Sequence, residues 1–136
     1  MRDCIFCDIA SGKKPGYILY QDKTTMALLD ICPSVEGHAM VIPKKHLVTI
    51  LDPSQNELGE VFTTVKKVIK ALQTTYATDK FTIGINHGEY FGVPHLHIHV
   101  IPRFEGDSGG IIQTIVKKEV KEDLETIKNN IKKNFK

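Results

Sequence analysis

Nothing in the 136 residues approaches the ~20 consecutive apolar positions that a membrane-spanning helix needs. The first residues, MRDCIFCDIASGKK, hold no apolar core of the kind that marks an export signal. A soluble, cytoplasmic protein is expected. Cysteine is scarce: the count is three, and an odd number in a chain without an export signal argues against a disulfide framework. An excess of one charge is also missing. Residues 1–102 carry ten basic and ten acidic side chains, and residues 103–136 carry eight and six, which gives the net +2. No basic stripe with interleaved aromatics is visible, so neither a nucleic acid nor a membrane is expected as a partner. The lysines between Thr126 and Lys136 read as a solvated helix end. Repeats, low-complexity blocks and linkers are absent too. The organisation expected is one domain over residues 1–103 and a partly helical extension over 104–136, packed on the same domain or on a dimer partner.

What is present is an ordinary globular balance, 41% apolar and 25% charged, enough for one core. Cys4 to Ser11 reads as a short helix ended by Gly12. Strands are expected at Tyr17–Gln21 and Met26–Asp30, separated by a turn at Asp22-Lys23. Three more are expected at Ala39–Pro43, Phe81–Asn86 and His95–Ile101, the last stopped by Pro102. Between the third and fourth strands, Asp52-Pro53-Ser54 opens a helix in which Ser54 and Glu57 have capping-box spacing. Leu58, Val61, Phe62, Val65, Val68, Ile69 and Leu72 then form one apolar stripe. A further helix is expected near Lys117–Lys133, with Val120, Leu124, Ile127 and Ile131 on one side. The fold class is α+β: an antiparallel five-stranded sheet covered on one face by one long helix, with a short N-terminal helix and a C-terminal helix.

The segment with most chemical content is Pro94-His95-Leu96-His97-Ile98-His99-Val100-Ile101. Alternate residues of a strand share a face, so the three imidazoles line one side, with outer members ~13 Å apart. One histidine alone is usually a satisfied or surface residue. Three in strict alternation, backed by aliphatics, point to a site, either one where adjacent rings reach a common substrate or a metal site built from the strand. Cys4 and Cys7 form a C-x-x-C pair with no strand before it, which favours metal over redox chemistry if other ligands exist. Cys32 reads as an inert thiol, and Lys44 and Lys45 as a solvated turn.

The alternating pattern closely resembles the signature of the histidine triad (HIT) family of nucleotide hydrolases and transferases. The likeness extends to Cys4-Ile-Phe-Cys-Asp-Ile, to Asp30-Ile-Cys-Pro, to His38 and Val41-Ile-Pro-Lys-Lys-His46, and to Asn86 and Ile101-Pro-Arg103. It covers roughly residues 4–103. The resemblance implies that His97 attacks the α-phosphorus of a purine nucleotide to form a nucleotidyl-imidazole, which water then hydrolyses. It implies further that His99 lies beside the phosphate and that Asn86 and the backbone at Gly92 contact it. Asp30 would bind the ribose, and Ile5, Phe6, Ile9, Leu28 and Ile31 would form an apolar slot for the base. Zinc-containing branches of the family add a Cys2His2 set, here Cys4, Cys7, His46 and His95, a closed and therefore structural site. His38 is left as a neighbour of the triad. A homodimer is implied as well.

One local departure concerns the loop before the triad. Phe91 stands where glutamine is usual in the family, and Gly92 where serine or threonine occurs. That bears on the leaving group. The leading reading is a nucleoside phosphoramidate hydrolase. A diadenosine polyphosphate hydrolase and a nucleotidyl transferase are the enzymatic alternatives. A non-catalytic nucleotide-binding regulator and a metal-sequestering protein are the alternatives of other classes.

Overall fold

A computed structural model of the chain describes residues 3–88 and 92–136. The element order is α1 (Ile5–Ala10), β1 (Ile18–Gln21), β2 (Thr25–Leu29), β3 (Ala39–Pro43), α2 (Gln55–Tyr76), β4 (Phe81–Gly84), β5 (Ile98–Pro102), a 3-10 turn (Ile112–Thr114) and α3 (Leu124–Lys132). The strands form one antiparallel sheet in the order β1-β2-β3-β5-β4. The expected α+β class and its five strands are present.

The long helix begins where the local chemistry says it should. Ser54 Oγ accepts from the Glu57 amide at 3.2 Å, and the Glu57 carboxylate accepts from the Ser54 amide at 2.8 Å. These two bonds satisfy donors that a helix start leaves open. Val61, Val65, Val68 and Leu72 then pack against Ala27, Ala39, Val41, Ile98 and Val100 on one face of the sheet. Phe62 departs from the expected stripe and is exposed. Thr64 is buried in its region of the helix, because its hydroxyl is hydrogen-bonded to Thr25 Oγ1 at 2.7 Å. A polar side chain with its bond made can occupy a core position.

The opposite face is covered as well, which corrects the expectation of a sheet packed on one side. Met26, Leu28, Met40 and Ile42 point away from α2 and bury Cys4, Phe6 and Ile9 of the N-terminal segment. β2 and β3 therefore read as unbroken apolar runs, as strands covered on both faces do. The last strand also starts later than expected. The ladder spans Ile98–Pro102, so His95 and His97 lie in the extended approach to it, and Pro102 closes the strand from within. His95 and His97 are fixed by other bonds, described below.

Beyond β5, Arg103 ties the chain down. Its guanidinium donates to both carboxylate oxygens of Asp107 at 2.7 and 3.0 Å, and to Thr82 Oγ1 and the Gly110 carbonyl. The chain then runs out through Ile111, Ile112, Ile115 and Val116, all exposed. The terminal helix is shorter than expected and leaves Val120 outside it; none of its residues is buried. Among the described residues, no helix is long and apolar enough to cross a membrane.

The β1–β2 turn expected at Asp22-Lys23 is built on one carboxylate. Asp22 accepts from the Thr24 and Thr25 amides at 3.0 and 2.8 Å, from Thr25 Oγ1 at 3.0 Å and from the Tyr20 hydroxyl at 3.0 Å. Burial alone would raise its pKa, but these bonds outweigh it and hold the carboxyl below the usual range. A depressed folded-state pKa adds stability that is present above the unfolded value, ~3.9, and lost as pH falls toward the folded value. Asp22→Asn should therefore lower the urea midpoint clearly at pH 7, and the gap to the parent protein should narrow at pH 3.

Candidate active site and metal cluster

The site is assembled where α1, the end of β3 and the approach to β5 meet. His99 pairs with Met40 across the sheet, which places it on the face that carries α1. Phe6 of α1 lies edge-on to His95 and to His97, with ring centroids 5.8 and 5.3 Å away. The His97 and His99 rings meet at 5.0 Å. The first two histidines do not owe their order to a ladder: the Leu96 amide donates to the Leu47 carbonyl at 2.6 Å, and His95 and His97 are buried on either side of it.

The state of each ring follows from partners whose roles are fixed. His97 Nδ1 lies 2.6 Å from the His95 carbonyl. A carbonyl only accepts, so Nδ1 carries the proton and Nε2 is left with a free lone pair. That lone pair faces Gly92, where an added Cβ would stand 4.0 Å from it. Gly92 has φ +91, a conformation that favours glycine, and it sets no side chain of its own before Nε2. Asn86, His87 and Gly88 line a cavity of about 20 Å³ together with His97. Such a volume holds about one water.

His95 is held the other way round. Its Nε2 donates to the Pro43 carbonyl at 2.8 Å, so its Nδ1 lone pair is the free one. Burial pushes its pKa down to about 4, which keeps the ring neutral. That Nδ1 lies 3.4 Å from Cys4 Sγ and 3.5 Å from Cys7 Sγ, and His46 Nδ1 lies 3.3 Å from Cys7 Sγ. The four donor atoms fall within 4.8 Å of one another. A tetrahedral ion with ~2.3 Å bonds to sulfur and ~2.0 Å bonds to nitrogen has S···N edges of about 3.5 Å. The donor set and its spacing fit such an ion. Among the described residues, His46 Nε2 is buried without a hydrogen-bond partner. Burial, and then the adjacent Cys4, push the Cys7 thiol up to about 11. A cation bound at this cluster would displace that proton.

A third group stands on the far side of His97. Asp30 Oδ2 lies 3.4 Å from His38 Nε2 and 3.6 Å from His99 Nδ1, and the two ring nitrogens are 2.8 Å apart. Asp30 Oδ1 accepts from the Cys32 amide at 2.8 Å. Burial lowers the pKa of both rings; His97 and His38 push that of His99 the same way, and Asp30 opposes it in each case. Asp30, His38 and His99 also have the spacing of a metal site. The Ser34 amide, however, donates to His38 Nδ1 at 3.0 Å. With Nδ1 accepting, His38 Nε2 must hold the ring's proton, and a protonated nitrogen does not ligate.

The sequence-based candidates are thus sorted. Cys4, Cys7, His46 and His95 come together, as do Asp30, His38 and His99, with His97 between the groups. Asn86 and Gly92 lie at the mouth of the site. Phe6, Ile9 and Leu28 are packed in the core, whereas Ile5 and Ile31 are exposed. Phe91, with Glu89 and Tyr90, lies outside the described residues. Lys45 pairs with Glu57 at 2.8 Å, away from these groups. Sequence reading missed Ser34 and Pro43, which act through backbone atoms that carry no residue signature.

Known proteins resemble the chain along most of its length. The HIT domain family pattern matches residues 11–106. An uncharacterised HIT-like protein of Methanocaldococcus jannaschii is 37% identical over 131 residues, 95% of this chain and 98% of its own length. An adenylylsulfatase of Arabidopsis thaliana is 31% identical over 126 residues, 91% of this chain and 64% of its own length. Among solved structures, a zinc-bound histidine triad protein from Mycobacterium smegmatis superposes with a TM-score of 0.74 at 33% identity, covering 80% of this chain and 81% of that one.

Proposed function

The chain belongs to the HIT family, and from that premise we propose that it is a nucleotide hydrolase that cleaves at the α-phosphate of purine nucleoside phosphoramidates or related nucleotidyl conjugates. The observation that carries the reading is the fixed state of His97: Nδ1–H is engaged by the His95 carbonyl, which leaves the lone pair on Nε2, the atom that faces Gly92. A neutral imidazole in this state is a competent nucleophile near pH 7. The adenylylsulfatase relative supports an enzyme over a non-catalytic nucleotide-binding regulator.

In the first step the Nε2 lone pair forms a bond to phosphorus as the bond to the leaving group breaks, and the electron pair departs with that group, which takes up a proton from solvent where it is an amine. The ring then bears a positive charge, which the carbonyl of His95 stabilises through Nδ1–H. In the second step water adds to phosphorus, the N–P bond breaks, its electrons return to Nε2, and the proton of water goes to solvent. His97 thus leaves as the neutral ring it began as. His99, Asn86 and the Gly92 backbone are assigned to the phosphate, and Asp30 to the ribose hydroxyls. The base is assigned to the apolar surface of Ile5, Phe6, Ile9, Leu28 and Ile31, since Phe6 already touches the His97 ring. His97→Ala should cut turnover at least ~10³-fold, as loss of a nucleophile does elsewhere, with adenosine monophosphate affinity changed less than ~3-fold, as calorimetry would show. Turnover within tenfold of the parent would contradict the mechanism.

The Cys4, Cys7, His46, His95 set is assigned to one structural zinc, supported by its donor spacing and by the zinc-bound relative. Four protein ligands leave no open position for water, so the ion would supply rigidity, tying α1 to the segment before β5. One zinc per chain is expected by elemental analysis. Cys4→Ser should lower that content and reduce the melting temperature by several degrees. Unchanged metal content and melting would remove the assignment.

A homodimer is part of the same reading. Ile111 and Ile112 stand beside Phe81, Thr82 and Ile83 of the edge strand β4, Ile115 and Val116 follow them exposed, and a second copy would cover this surface. Sedimentation should give twice the 15.3 kDa chain mass. Ile112→Asp with Ile115→Asp should shift it to one.

A further inference from the structure

The face of the sheet opposite the triad carries a cleft that neither the nucleotide site nor the metal cluster uses. It lies between the second half of α2 and strands β1 and β2, and it encloses about 370 Å³. Small molecules bind in clefts of roughly 300–1,000 Å³ that have mostly apolar walls and a few placed polar groups. Val68 and Leu72, one helical turn apart and buried, form the floor, and Leu29 of β2 faces them. The neighbouring helix position is Ala71, whose single methyl leaves the trough open. Tyr76 closes one end. Its ring is held edge-on by Phe104, with centroids 5.9 Å apart, and it lies so close to Gly37 that a Cβ there would stand 2.5 Å from it. That wall is therefore rigid.

The other end is cationic. Lys67 Nζ donates to the Tyr20 hydroxyl at 2.6 Å and lies 4.6 Å from the centre of the Tyr20 ring. The Tyr20 hydroxyl is spent on Asp22, to which it donates at 3.0 Å. An ammonium has three N–H donors, and Tyr20 takes one. Among the described residues, Lys67 forms no ion pair. Nine residues separate Lys67 from Tyr76, which is ~13 Å along a helix axis.

We propose that this cleft is a second ligand site, which takes a medium-chain carboxylate with its chain along Val68, Leu72 and Leu29 and its head group on Lys67. The chain would remove apolar wall from water, and the carboxylate would accept charge-assisted bonds from the two remaining N–H groups. A neutral amphiphile would leave the cation unanswered. A peptide strand would bury backbone amides against Leu29, Val68 and Leu72, whose side chains offer them no partner. The site stands apart from the nucleotidyl-His97 reading and does not need it.

The test titrates the full-length protein with octanoate and, as the uncharged control, with octanol, by calorimetry and by methyl spectra. Octanoate should bind at one site per chain with a dissociation constant below about 1 mM, shifting the methyl signals of Leu29 and Leu72. Saturating adenosine monophosphate should leave that binding unchanged, because the nucleotide site lies on the opposite face. Lys67→Met should weaken octanoate at least ~10-fold, as loss of a charged hydrogen bond does, and leave octanol within ~3-fold. Lys67→Arg, which keeps the charge, should keep octanoate within ~3-fold of the parent. Ala71→Phe, at an exposed helix position, should fill the trough and remove binding of both compounds, with sedimentation unchanged. The proposal is overturned if the parent shows no saturable octanoate binding, or if Lys67→Met binds octanoate as the parent does. Shifts at Ile5, Ile9 and Leu28, or displacement by adenosine monophosphate, would put octanoate at the nucleotide site and overturn it too. A change of sedimenting mass in Ala71→Phe would mean that a second copy covers the cleft, with the same consequence. If Ala71→Phe fails to fold, the Lys67 variants still decide.

Discussion

The hydrogen bond from His97 Nδ1–H to the His95 carbonyl, 2.6 Å long, is the constraint on which the rest of the site depends. It spans two residues of one chain segment, and each has a separate anchor. The His95 side chain is locked to the Pro43 carbonyl and turned toward Cys4 and Cys7. Ile98, immediately after His97, is sealed beneath α2. The backbone between these anchors has little freedom, so the carbonyl that sets the proton of His97 is itself held by the Cys/His cluster. Under the proposed mechanism, a group that holds the N-terminal segment in place would thereby act on the geometry of phosphorus attack without touching the substrate.

Three histidines, His38, His95 and His97, are assigned their proton by a backbone partner that cannot change role. Carbonyls fix His95 and His97, and an amide fixes His38, which in turn fixes His99. Burial keeps His38, His95 and His99 neutral by lowering their pKa, and neutral rings are the ones for which tautomer matters. The arrangement is prepared before any ligand arrives, which is the economical way to stabilise a developing charge.

Much of this was legible in the sequence, and the illegible parts share a cause. Ser54 and Glu57 announce the start of α2 because capping is local chemistry. Cys4, Cys7, His46 and His95 were identified through resemblance and meet in space as expected. The start of β5 was misplaced because alternation along residues 95–101 looks the same whether a ladder or individual bonds hold the chain extended. Phe62 was assigned to the apolar stripe, and Thr64 was not, because periodicity weighs side-chain hydropathy and cannot see the Thr25–Thr64 hydroxyl pair. The Ser34 amide and the Pro43 carbonyl leave no trace in residue type. Burial of β2 and β3 on both faces agrees with their continuous apolar runs, which the expectation of one covered face left out of account.

The central claim is that His97 becomes covalently nucleotidylated. Rapid mixing with the p-nitrophenyl ester of adenosine 5′-monophosphate, an alkaline quench that preserves the acid-labile N–P bond, and peptide mapping by mass spectrometry test it directly. The account predicts an adenylyl group on His97 in the peptide spanning residues 94–101. An adduct on another residue, or turnover with no adduct on the enzyme at any time point, would contradict it.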